Sequence, residues 1–166
     1  MGCDMHAFIE EKHDGQWVFG PPVYEIDFRR TERGRERFNE PDEVAANCPL
    51  DQRNYALFGF MAGIRSDTTP CIQLLYRLGT GVWSRGTPDG MSPETEIEYG
   101  EWSGDAHSHS WLTLEELTTG LMASNLAGEA EEFSSLLSFS LKQMRARAKE
   151  AGLAATEMRV VFWFDN

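Results

Sequence analysis

Cysteine is scarce in this chain: of 166 residues only Cys3, Cys48 and Cys71 carry a thiol, an odd number with no CxxC pair and no zinc-ribbon spacing. That excludes a disulfide framework and points to a reducing compartment. Positive charge is also short. Lys and Arg number 15 against 27 Asp and Glu, a formal net charge of -12, so most of the surface repels polyanions and sequence-independent binding of duplex DNA or RNA is excluded as a function class. A small anionic ligand in a locally basic pocket remains allowed. No apolar run approaches the roughly 20 residues of a membrane span, and the N-terminus lacks the basic and apolar regions of a signal peptide, so no membrane partner is expected. The opening MGC is similar to an acylation signal, but His6 stands where the myristoylation pattern requires Ser or Thr. Internal repeats, low-complexity segments and the HExxH and HxHxDH signatures of known hydrolases are all absent.

What is present is a core. A hydrophobic fraction of 41% with five Trp and ten Phe marks a folded chain long enough for a single domain over 1–166 without disulfide or metal support. Cys3, Met5, Ala7 and Ile9 alternate with Asp4, His6, Phe8 and Glu10, the period of a strand with one apolar and one mixed face. Asp14-Gly15 before Trp17-Val18-Phe19 predicts a hairpin, stopped by Gly20-Pro21-Pro22. Residues 20–50 read as a loop or lid insertion, and within it Arg29 to Asp42 interleaves arginines with glutamates. This segment suits a solvated arm, an arginine flap over an anion, or an arm crossing a subunit interface in a homo-oligomer.

Asp51 is placed to cap a helix running through Leu57, Phe60 or Met61, and Ile64. Arg53, Asn54 and Tyr55 then fall in its first turn, where free N–H groups and the positive dipole end suit an anion, and Arg65 closes the other end. Cys71 to Gly79 reads as a strand, Gly79 to Gly90 as a turn-rich stretch with Trp83 and Arg85, and Ser92-Pro93-Glu94 as the start of a short helix that gives way at Tyr99-Gly100. Thr113 to Glu116 is a capping box. A long helix from about Glu131 to Glu150 buries Leu137, Leu141, Met144 and Ala148 and ends at Gly152, and Met158 to Asn166 is a central strand. The expected fold is α+β, a mostly antiparallel sheet with helices packed on one face.

The chemistry concentrates in GDAHSHSW, Gly104 to Trp111. His107 and His109, one residue apart after Asp105, share a face if the backbone is extended. Asp4 and His6 repeat that spacing near the N-terminus. If the segments meet, three readings are open. His6, His107, His109 and Asp4 or Asp105 could ligate a divalent transition metal, Zn, Mn or Fe. Alternatively His107 and His109 serve as acid and base on a phosphodiester, with carboxylates orienting the rings and arginines taking up charge. The third reading is capture without reaction: Trp83, Trp102, Trp111 and Tyr55 stack on bases while Arg53, Arg65 and Arg85 meet phosphates. An acidic inhibitor docking on a host protein is a further class that the charge allows.

The segments MGCDMH, RNYALFGFMAGIR at 53–65, RGTPDGMSPE at 85–94, GDAHSHSWLTLEEL at 104–117 and the ending VVFWFDN resemble a family of uncharacterised proteins encoded by tailed bacteriophages. Met5 stands where that pattern has Ile, a swap that keeps volume and apolarity. Residues 20–50 and 120–155 lie outside the resemblance. It implies a small phage accessory protein of the bacterial cytoplasm and brings no activity with it; the expected ligand, a cyclic nucleotide immune signal of the host that is sequestered or cleaved, comes by analogy with unrelated phage proteins of this size.

Overall fold

Period-two alternation sorts residues 3–11 onto the two faces of a strand, and the fold is organised around that division. The computed structural model describes residues 3–21, 50, 53–64, 84–102, 104–126 and 134–165. Strand β1 spans Asp4–His13 and β2 spans Gln16–Phe19. Between them Asp14 (φ 51°) and Gly15 (φ 82°) are both left-handed, as a two-residue type I′ turn requires, and His13 pairs with Gln16. Helices α1 (Tyr55–Ala62) and α2 (Pro93–Trp102) follow, then β3 (His107–Thr113), α3 (Leu114–Leu126), α4 (Ser134–Ala151), a 3₁₀ turn at Ala155–Glu157, and β4 (Met158–Asp165).

The four strands pair antiparallel in the order β2-β1-β4-β3. This is the α+β architecture expected from the sequence, with the C-terminal strand central. One face carries Cys3, just before β1, with Met5, Ala7 and Ile9 of β1 and Met158, Val160, Phe162 and Phe164 of β4, all buried in the main core. Against it pack Leu57, Phe58 and Met61 of α1, Leu117 and Leu121 of α3, and the predicted stripe Leu137, Leu141, Met144 and Ala148 of α4. Each of the Leu, Ile, Val, Met and Phe side chains among them contributes about 1.5–3 kcal/mol by leaving water. Helix α4 ends as anticipated: Gly152 (φ 69°) donates to Lys149 O and Leu153 N–H reaches back to Ala148 O at 2.8 Å, the paired bonds of a Schellman motif.

The second face is covered differently. Helix α2 lies against it, started by Ser92, whose hydroxyl accepts from Thr95 N–H at 3.3 Å, with Pro93 in the first position and Glu94 and Glu96 favourably placed at the dipole's positive end. It is tied to the sheet by charge. Glu10 Oε1 accepts from Ser92 N–H at 2.7 Å, while Glu10 Oε2 accepts from Arg159 Nε at 2.8 Å, and Arg159 also reaches Gly90 O and lies 3.9 Å from the Trp17 ring. Both partners of this pair are buried, Glu10 at 0% and Arg159 at 3% exposure.

Three local expectations are corrected. The cap of α1 is Asn54, whose side chain accepts from Leu57 N–H at 3.0 Å, so the helix starts later than Asp51 would allow and Arg53 precedes it. Instead of one stripe, Leu57 to Ala62 are all buried. Helix α2 runs through Gly100 to Trp102, because Tyr99 and Trp102 gain aromatic contacts there that outweigh a glycine's helix penalty. The arginine-rich arm, the Cys71 to Gly79 segment, Asp51, Arg65 and Trp83 lie outside the described residues.

Candidate functional site

Pairing of β1 with β4 sets Asp4 opposite Asp165 and His6 opposite Trp163, so four polar or aromatic side chains meet at one end of the two central strands. His6 Nε2 lies 3.1 Å from Asp165 Oδ2, and Asp165 Oδ1 accepts from Asp4 N–H at 3.0 Å. The imidazole is held between two indoles: Trp102 of α2 at 4.3 Å and Trp163 of β4 at 5.9 Å between ring centroids. Carboxylate and ring are largely buried yet still reach solvent, with side-chain exposures of 16% for Asp165 and 14% for His6. The contact with Asp165 orients the ring and sets Nε2 toward the carboxylate. Beside this dyad Arg53 grips Asp4 with both arms, Nε to Oδ1 and Nη2 to Oδ2, each at 2.7 Å. That fork holds the Asp4 carboxyl below its ordinary value, with smaller help from the charge on His6.

The twin histidines do not share a face. Between His107 and Ser110 the pairing of β3 with β4 shifts by one residue, and Ser108 at φ 54° supplies the extra position of a bulge. His107 thereby aligns with Phe164, its ring stacked 6.1 Å away on the side of the main core, and its Nδ1 lies 3.0 Å from Ser108 Oγ. His109 falls on the opposite side, its ring edge-on to Tyr99 at 4.9 Å, and Tyr99 in turn stands edge-on to Trp163 at 5.6 Å. The extended-strand expectation is corrected for this reason: one inserted residue inverts the alternation. Burial lowers the pKa of His109, and the nearby His107 lowers it further, so at neutral pH the His109 ring is uncharged.

His6 therefore shares its face with His109 rather than His107, one on each side of β4 and about 10 Å apart from strand to strand. The four-ligand metal set of His6, His107, His109 and Asp4 is not assembled: among the described residues no three His, Cys, Asp or Glu side chains are placed to hold one ion. The bulge and the intervening strand are the cause. Asp105 sits exposed in the turn after α2, where its N–H donates to Trp102 O.

The proposed phosphate and base contacts divide in the same way. Arg85 is spent on structure: its guanidinium is paired with Glu116 through both Nη atoms, donates to Trp111 O and lies 4.6 Å from the Trp111 ring. Glu116 is also the reaching-back half of the capping box, accepting Thr113 N–H at 2.9 Å. Arg85 and Trp111 thus fasten β3 to α3, leaving neither a free fork nor an open ring for a ligand. Asn54 is occupied by its capping bond. Arg53 and Tyr55 remain at the site's rim, Tyr55 with 38% exposure.

From the sequence, Asp165 is open between the edge of a site and a frayed chain end, and neither Trp163 nor Tyr99 is assigned to the site. Alternation in VVFWFDN puts Trp163 and Asp165 on one face, and that was the available signal; that the face is the one bearing His6 depends on strand pairing 159 positions apart. No family model, curated protein or solved structure matches this chain.

Proposed function

We propose that the protein binds a small nucleotide-type phosphate ligand and cleaves a phosphodiester in it by proton transfer, as a phage accessory protein acting on a cyclic nucleotide immune signal in the bacterial cytoplasm. The observation that carries this reading is the His6 imidazole fixed between Trp102 and Trp163 with Nε2 on Asp165. A carboxylate behind an imidazole fixes the tautomer and stabilises the imidazolium formed when the ring takes a proton, which is the arrangement acid–base catalysis uses. The neutral His109 supplies a second imidazole on the same face of the sheet. Phosphate is met by Arg53. Its pair with Asp4 is half exposed on both sides, and ion pairs in that setting are worth little, so the singly charged phosphate of a phosphodiester can compete for the guanidinium. Tyr55, near Arg53 in the chain, offers its exposed ring to a base.

The test is incubation of the wild-type protein with cyclic and linear mono- and dinucleotides, with and without divalent metal, followed by chromatography of the products. One substrate class is expected to be cleaved, and His6→Ala should reduce the rate about 10²–10⁴-fold, the usual share of one acid–base group. Asp165→Asn should lower turnover while leaving nucleotide binding near the wild-type level. Substrates that all survive intact reject catalysis. Recovery of a bound, unaltered nucleotide from the denatured protein would replace it with sequestration.

A further inference from the structure

Two carboxylates and one guanidinium stand together at the open rim of the site, and their charges bear on which kind of phosphate it admits. Asp4 and Asp165 are directly opposed on neighbouring strands, an arrangement that sets the Cβ atoms of a pair about 4.5–5.5 Å apart on one face. Asp4 N–H on Asp165 Oδ1 at 3.0 Å and His6 on Oδ2 hold the second carboxylate in place. Arg53 is the permanent cation among them. It grips Asp4 through Nε and Nη2, and the two side chains are 51% and 49% exposed, so a ligand in solvent reaches them directly. The guanidinium is held above its ordinary pKa first by the hydrogen bond and charge of Asp4 and then, more weakly, by the charges of Tyr55 and Asp165. Both carboxylates are therefore felt at Arg53.

The contact has the form of a diester contact. A carboxylate offers Arg53 two oxygens that share one negative charge, and a phosphodiester offers the same through its two non-bridging oxygens, whereas a phosphomonoester carries three such oxygens and close to two charges above its second pKa of about 6. We propose that Asp4 is a specificity-determining residue: its carboxylate, with that of Asp165 behind it, admits the singly charged phosphate of a diester to Arg53 and disfavours the doubly charged phosphate of a monoester. The inference rests on the reading of Arg53 as the phosphate contact given above. Whichever edge of the guanidinium the ligand takes, Asp4 stays beside it on the strand. A second negative charge on the ligand is attracted by Arg53 alone and opposed by two carboxylates. At roughly 6 Å and an effective dielectric of about 40–80, that extra charge against one carboxylate corresponds to about 3–10-fold in affinity. Hydrolysis adds water across one P–O bond and turns a cyclic diester into a monoester with a free hydroxyl, so the same charges that select the substrate favour release of its product.

The selection is tested without reference to activity, with phosphates that carry no base: dimethyl phosphate with one charge and methyl phosphate with nearly two, each titrated at pH 8 into the ¹³C-labelled full-length chain. Binding is read from the NMR signals of Arg53 Cζ and Asp4 Cγ, assigned by their loss in Arg53→Lys and Asp4→Asn. The wild-type protein is expected to bind dimethyl phosphate the more tightly. Asp4→Asn keeps the size of the side chain and removes its charge, and, read at Arg53 Cζ, it should raise the affinity for methyl phosphate about 3–10-fold relative to that for dimethyl phosphate. A wild-type protein that prefers methyl phosphate, or an Asp4→Asn variant whose ratio of affinities is unchanged, overturns the selection. Absence of any binding at Arg53 overturns it as well and removes Arg53 as the phosphate contact. If the selection is found while no nucleotide is cleaved, the proposed reaction fails and the specificity of the rim stands. Cleavage by a protein that shows no selection leaves the reaction standing and removes Asp4 from its specificity.

Discussion

Arg159 shows how much a single side chain holds in this molecule. It is buried at the centre of the second face, where it neutralises Glu10, lies over Trp17 and reaches Gly90 O. Burial lowers its pKa and Glu10 opposes that shift. The pair's net contribution is small, since two desolvation penalties offset its attraction, but removing one member strands the other in a dry interior. Arg159→Met should therefore cost about 3–5 kcal/mol in urea unfolding. The double variant Glu10→Gln, Arg159→Met should recover a large part of that loss, and a double as unstable as the single would show that the ion pair is not the cause. Sequence could show that Glu10 and Arg159 each interrupt an apolar strand. It could not show that they interrupt adjacent strands at paired positions.

Among the elements, β3 and α2 decide the site. The single residue inserted at Ser108 separates His107 from His109, and the extension of α2 to Trp102 brings Tyr99 and Trp102 onto the histidines of the second face. Neither was legible locally, because a bulge is defined by the strand it pairs with, and Gly100 taken alone argues against a continuing helix. Two glycines give a prediction of opposite signs. Gly152 at φ 69° and Gly100 within α2 both have open space where a Cβ would go. Alanine at 152 is forced into the left-handed region and should destabilise by about 1 kcal/mol, whereas alanine at 100 should stabilise by about 0.5–1 kcal/mol. Thermal unfolding of the two variants, read side by side, checks both signs.

For the whole molecule, acid stability follows from groups far apart in the chain. Burial pushes the carboxyls of Glu11 and Glu116 up, but the Arg147 and Arg85 forks, assisted by His13 and Thr113, hold both below the ordinary 4.5. Their stabilisation is complete above that value and is lost as the pH falls through the lower folded-state pKa values. His109 acts at higher pH. Its folded pKa lies below 6.5 because burial and His107 oppose its charge, so the unfolded chain binds the proton more readily and stability falls as the pH drops below that value. Denaturant titrations from pH 7 to pH 3 should show both declines. Arg147→Met should remove much of the lower step and His109→Gln the upper; a variant retaining its step would locate the proton uptake elsewhere.

By itself the sequence determined what depends on neighbours along the chain: the alternation of β1, the Asp14-Gly15 turn, the capping box at Thr113, the stripe and glycine end of α4, and the apolar run that became β4. Each of these is fixed by backbone preferences and side-chain periods that act over a few residues. Only the tertiary structure decided which histidines face one another. The antiparallel register of β1 and β4 sets His6 on Asp165, and the bulge in β3 turns His107 away and leaves His109 on the face of Trp163. Those placements follow from hydrogen bonds between strands and from burial shared by distant segments, and no local window of sequence contains either.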